Sequence, residues 1–319
     1  MFIVSANHPT AKVETSRIPR DESYLTGVRR LLSVKFWHVR YIPSPCPFPP
    51  LKPMKTKLHW IRLSALALCL TTAASAQTPA AEKPAEVAAL NGLTAAEKAE
   101  GWIMLWDGKT SDGWRSPKTE EFPTKGWTMS DGILSTLETH GEEAAGGGDI
   151  ITRKRYDNFE LKVDFRLTAG ANSGVKIFVQ PNISPVTKAG EKAAVGSAIG
   201  MEFQILDDKL HPDAKLGHHG DRTIGSLYDL IPAPANKKVL PVGDWNHARI
   251  VSKGNRVEFY LNGVKTVEFE RGSEDFRKRV AASKFRDIPR FGEWEDGHIM
   301  LQEHGNAVSF CNVKLRVLQ

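Results

Sequence analysis

Cysteine is scarce in this 319-residue chain: Cys46, Cys69 and Cys311 are the only three. They form no Cys-x-x-Cys pair, so a thiol metal site or redox motif of that kind is excluded. Also missing are a tandem repeat, a coiled-coil heptad and a Gly-x-Gly-x-x-Gly turn leading into a helix. Gly146-Gly147-Gly148 precedes the strand-like run DIITR, and with no helical pattern after it the triplet reads as a flexible approach to a strand, not a phosphate loop. The longest apolar stretch, Leu63 to Ala73, falls short of the roughly 20 residues that span a bilayer.

That stretch has another meaning. Met54 opens MKTKLHWIRLSALALCLTTAASAQ, with Lys55, Lys57 and Arg62 as a basic start and Ala74-Ser75-Ala76 as a small-x-small cleavage signal before Gln77. Leu68 before Cys69 does not suit lipoprotein processing. A secretory signal peptide over 54–76, cleaved after Ala76, is therefore expected, with a periplasmic or secreted product and no transmembrane segment. Residues 1–53 precede it, are basic and end in the Pro-rich IPSPCPFPPLKP; they are expected to be no part of the mature protein. Residues 77–98, rich in Ala, Pro, Glu and Lys, suit a flexible or partly helical linker.

These boundaries change the charge. The +6 total includes eight Lys/Arg against three Asp/Glu in residues 1–53, and three more Lys/Arg in 54–76, so the remainder carries −2. No nucleic-acid partner is implied. Only Cys311 remains after cleavage, which rules out an intramolecular disulfide, and its place in SFCNVKLRVL suits a small buried apolar residue.

From residue 99 to 319 short alternating runs are separated by turn residues, the all-β signature. In NFELKVDFRL, Phe159, Leu161, Val163 and Phe165 share one face and Glu160, Lys162, Asp164 and Arg166 the other. RVEFYL and VKTVEF flank Asn262-Gly263, a type I′ hairpin turn. EDFRKRVAASKF, residues 274–285, predicts one short helix. A jelly-roll β-sandwich of two antiparallel sheets satisfies this pattern, and one polar sheet face of such a fold commonly binds sugars.

Eight blocks carry a resemblance: WIMLWDGKTSDGW, GGGDIITRKRYDNFELKVDFRL, NSGVKIF, GMEFQILDD, TIGSLYDLIP, VGDWNHARI, YLNGV and GHIMLQEHGNAVSFCNVKL. In this order, over about residues 100 to 319, they resemble the 3-keto-disaccharide hydrolase family, a concanavalin A-like lectin/glucanase sandwich. The resemblance implies an enzyme that cleaves glycosides whose sugar is oxidised to a ketone at C3. Removal of the acidified C2 proton would let the aglycone leave C1, and water addition would complete hydrolysis.

The site residues follow from strand faces. Glu202, Gln204 and Asp207 occupy the spacing at which sandwich β-glucanases place Glu, Asp and Glu; Gln at the centre and a shorter Asp at the end count against a two-carboxylate double displacement. The bland alternative is a polar outer face held by cross-strand pairs. In HIMLQEHG, Gln302 and His304 project together, and a histidine near its ordinary pKa of about 6.5 can take a proton; equally, His304 would cap the turn at Gly305. Glu202 or His304 is the expected base and Asp207 the expected acid or metal ligand. Gln302 and Arg153 are expected donors to the substrate oxygen, and Gln204, Asn172, Tyr228 and Trp294 further substrate contacts. Asn172 alternatively shapes a turn, Arg153 is alternatively solvated, and the other tryptophans read as core. HPDAKLGHHGDR scatters His211, His218 and His219 without a zinc spacing. These residues fix no cofactor, and a divalent cation at the enolate would suit the chemistry. A conventional retaining glucanase and a non-catalytic carbohydrate-binding module remain the alternatives.

Overall fold

The computed structural model describes residues 89–142, 146–181, 183 and 198–319. The expected upstream segment, signal peptide and first part of the linker lie outside these residues. Two antiparallel sheets form the fold, as the alternating runs predict. The larger orders β11 (Val264–Glu270), β10 (Arg256–Leu261), β9 (Asn246–Lys253), β6 (Phe159–Leu167), β13 (Val308–Val317), β4 (Ile133–Thr136) and β3 (Trp127–Ser130), with β1 (Ile103–Met104) also on β13. The smaller orders β2 (Trp114–Arg115), β5 (Ile150–Thr152), β12 (His298–Leu301), β7 (Asn172–Gln180) and β8 (Ile199–Leu206).

Between the sheets lies one apolar core. Phe159, Leu161, Val163 and Phe165 enter it from β6, and Met201, Phe203 and Ile205 from β8. Phe203 meets Phe259 of β10 with ring centroids 5.3 Å apart, joining the layers. Asn262 and Gly263 both have positive φ, 50° and 81°, as the expected I′ turn requires. Cys311 is buried, and burial pushes its thiol up to about 12, so it behaves as an inert small side chain.

Two elements depart from expectation. The helix α2 covers Glu274–Ala282 and stops three residues before the predicted end. Its sequence remains helix-compatible, but Asp229 accepts the Lys284 N–H at 2.9 Å and the Ser283 hydroxyl accepts from Phe285, which together turn the chain out of the helix. The end of the expected linker is also built into the domain. Asn91 and Asn312 exchange backbone-to-side-chain hydrogen bonds of 2.8 Å in both directions, and α1 (Ala95–Ala99) starts on a Thr94/Glu97 capping box. Asn312 sits at a bulge with φ 50°, which frees its backbone for this exchange.

Candidate active site

All eight residues of β8 are buried, the polar ones included. Met201, Phe203 and Ile205 use the core face. The opposite face, the outer one of the smaller sheet, is where Glu202 and Gln204 point. The same parity places Asp149 ahead of β5, Met300 of β12 with Gln302 just after it, and Asn172, Gly174 and Lys176 of β7 on this face. Cross-strand register sorts them into rows. Ile151, Met300, Lys176 and Glu202 form one. Gln302, whose N–H bonds the Gly174 carbonyl, then Gly174 and Gln204 form the next, with Asp149 one step before Ile150 at its end. Glu303 ties that end down, donating its N–H to Asp149 Oδ1 at 2.9 Å.

Glu202 leans across this grid. A Cβ built on Gly174 would lie 2.1 Å from Glu202 Oε1, so the missing side chain at 174 is the niche that holds the carboxylate over β7. Lys176 Nζ faces Glu202 Oε2 at 3.8 Å, with both side chains buried. Close charge-assisted pairs lie at about 2.7–2.9 Å; this gap is wide enough for an oxygen to approach both groups.

The floor is short of donors. Among the described residues, Asp149 Oδ2, Gln302 Oε1 and Asn172 Oδ1 are buried side-chain acceptors without a hydrogen-bond partner. Such atoms each cost about 1–3 kcal/mol when left unmade, and three on one sheet face are what a ligand rich in hydroxyl donors would satisfy.

Loops close the edge of β8. Tyr228 N–H bonds the Glu202 carbonyl, and Gly225 and Ser226 pair with Gln204. The Tyr228 hydroxyl donates to Asp213 Oδ2 at 2.8 Å, while Arg222 and Lys284 lie over its ring. Burial, with the Glu202 and Asp213 carboxylates, pushes the phenol pKa upward, so it stays protonated. Burial around the ammonium lowers Lys284, opposed by Glu202. Much of the Lys284 side chain is nevertheless exposed, which limits that effect. For Asp149, burial raises the carboxyl to about 6; Lys176 opposes this, and Glu202 and Glu303 add to it.

The expected site residues divide. Glu202, Gln204, Gln302 and Asn172 share the floor, and His304 joins its rim, with Nε2 3.2 Å from Asn172 Nδ2 and its ring 5.9 Å from that of His211. Burial lowers the His211 pKa, and His304 adds to the effect. Tyr228 belongs to the site as a wall, its ring engaged by cations. Asp207 has a different occupation: Oδ2 accepts from Gly170 N and Oδ1 from Lys209 and Leu210 N, which makes it a loop anchor with no oxygen turned to chemistry. Arg153 is half exposed and bound to Glu120, by an ion pair of 3.4 Å and a bond of 2.6 Å to the Glu120 carbonyl. Trp294 packs edge-on against Phe291 at 5.8 Å and joins the core. Asp149, Lys176, Gly174 and Lys284 also belong to the site, with no local sequence pattern to mark them. No group of three or more His, Cys, Asp or Glu among the described residues is arranged to hold a metal ion.

Two antiparallel layers and a polar outer floor define a jelly-roll sandwich of the lectin/glucanase class. Within that class the chain belongs to the family of the 3-keto-alpha-glucoside-1,2-lyase-like domain, whose model matches residues 101–316. It is 34% identical over 250 residues to a 3-keto-disaccharide hydrolase of Bacteroides thetaiotaomicron, an alignment that covers 74% of this chain and 85% of that protein. A crystal structure from Parabacteroides distasonis, provisionally assigned as a glycosyl hydrolase, is 32% identical, with TM-score 0.59 and coverage of 72% of this chain and 100% of the other.

Proposed function

We propose that this enzyme of glycosidic bonds acts on 3-keto-glycosides, on the outer face of the smaller sheet, by abstraction of the C2 proton. The observation that carries the reading is the buried Glu202–Lys176 pair, held 3.8 Å apart over Gly174 beside three acceptors that lack partners among the described residues. A ketone oxygen cannot donate a hydrogen bond, so it fits none of those acceptors; it fits the Lys176 ammonium. Sugar hydroxyls, which are donors, fit Asp149, Gln302 and Asn172. With the ketone at Lys176, charge that develops on the enolate oxygen meets a fixed cation, and Glu202 is the adjacent base for the C2 proton. The C1–O bond then breaks to give the enone and the free aglycone, and water addition at C1 gives the 3-keto sugar. His304, one row away beside Asn172 and His211, is placed to contact substrate. Lys176 takes the donor role expected of Arg153.

The test is product analysis with a panel of paired glycosides and their 3-keto derivatives. Turnover confined to the ketones, with solvent deuterium entering at C2, is expected. Cleavage of the unoxidised glycosides would support the glucanase reading, and saturable binding without turnover the carbohydrate-binding module.

Export to the periplasm or medium is part of the same proposal, supported by the basic start, apolar stretch and Ala-Ser-Ala of residues 54–76. N-terminal sequencing of the protein from its native host is expected to begin at Gln77; a start within residues 1–53 would overturn it.

A further inference from the structure

We infer that Asp149 is the proton donor to the departing glycosidic oxygen, a role that rests on the proposed reaction and completes it. Elimination expels the aglycone oxygen from C1 as an alkoxide, and so poor a leaving group departs only if a proton reaches it. Three observations select Asp149. It is buried, at 3% exposure, on the same sheet face as Glu202. Its Oδ1 is fixed by the Glu303 N–H, whereas Oδ2 has no partner among the described residues. Its position is set by register: from β5 to β7, where Glu202 leans over Gly174, is two strand spacings, or about 10 Å. Both carboxyls project onto that intervening floor, and the C1–C2 edge of one sugar fits between a base at one end and an acid at the other.

The other carboxyls near this floor are committed. Both oxygens of Glu303 accept backbone bonds, from Gly148 and Gly305. Asp207 is tied to three amides. Asp213 receives Tyr228 and Arg222, and Asp229 receives Arg222 and Lys284. The charged groups that act on Asp149 are Lys176 on β7, Glu202 on β8 and Glu303 after β12. Burial among them keeps its proton to about pH 6, whereas an ordinary Asp has lost it by about pH 3.9.

The proton account closes. Glu202 takes the C2 proton, the electron pair forms the C1–C2 double bond, the C1–O bond breaks, and the leaving oxygen takes the Asp149 proton. Asp149, now ionised, can take a proton from water as the hydroxide adds at C1, while protonated Glu202 returns its proton to C2. Both groups are then reset, and net hydrolysis follows when water reaches Asp149.

Asp149→Asn tests the assignment, with 3-keto-glycosides that share one sugar but carry either a nitrophenolate or an alkoxide leaving group. The alkoxide substrate is expected to lose about 10²- to 10⁴-fold in kcat/KM, and the nitrophenolate less than about tenfold, since it departs without a proton. C2 exchange is expected to persist. Equal losses on both substrates would overturn the role, and because each variant is its own control, partial misfolding cannot imitate the difference. Asn can still accept the Glu303 N–H. A raised carboxyl pKa adds stability below its ordinary value and loses it as pH rises through about 6, so the neutral side chain should not destabilise the fold above that pH. In the wild type, the rate on the alkoxide substrate should fall as pH rises through about 6, without a matching fall on the nitrophenolate; parallel profiles would also overturn it. Failure of the wild type to exchange C2 hydrogen or cleave any ketone would instead remove the proposed reaction itself.

Discussion

Glu202→Gln should lower turnover of a 3-keto-glycoside by about 10²- to 10⁴-fold, the range for loss of a general base, and should abolish deuterium exchange at C2. The substitution keeps the shape that fits the Gly174 niche and removes the basicity. The fold should survive it, since the Lys176 ammonium, 3.8 Å away, can still face the amide oxygen. His304→Ala is the necessary companion. Its ring stands by Asn172 and His211, one row from the Glu202 carboxylate, so exchange at C2 should persist even where aglycone release slows. Exchange lost in His304→Ala and kept in Glu202→Gln would reverse the assignment. Wild-type release in Glu202→Gln would remove β8 from the chemistry.

The distribution of this site along the chain explains what could be read from the sequence. Period-two alternation exposed both faces of β6 and β8, and therefore Glu202 and Gln204, because each strand carries its own pattern. Gln302 and His304 were legible for the same reason, whereas Asn172 was marked by its polar run with Ser173 and Gly174 ahead of an apolar strand pattern. Asp149 and Lys176 were not. Their approach to Glu202 depends on the order β5-β12-β7-β8, which joins segments far apart in the chain and leaves no local spacing. Lys176 looks like any strand lysine in NSGVKIF; the informative neighbour is Gly174, whose lack of a side chain only acquires meaning once Glu202 lies across it. Arg153 belongs to the same segment as Asp149, but it lies four residues further on, just past the end of β5, where Glu120 engages it. Asp207 kept the spacing of a glucanase acid while its oxygens went to loop amides, a competition that sequence spacing does not reveal.

Lys176→Met should have two effects that a second substitution separates. The first is on stability: removing the ammonium leaves the buried Glu202 carboxylate without its cation, and breaking a buried pair typically costs about 3–5 kcal/mol. The second is on chemistry: without a cation at the enolate oxygen, turnover should fall by about 10²- to 10³-fold, as for loss of an oxyanion donor. Adding Glu202→Gln to Lys176→Met removes the stranded charge, so the double variant should regain most of the lost stability in denaturant unfolding while remaining inactive. A purely structural ion pair predicts otherwise, since activity would then return with the fold. If the double variant recovers both stability and turnover, the Glu202–Lys176 pair holds the sheet together and the reaction is done elsewhere. Recovery of stability alone places the pair in the chemistry, with Lys176 facing the ketone and Glu202 the carbon beside it.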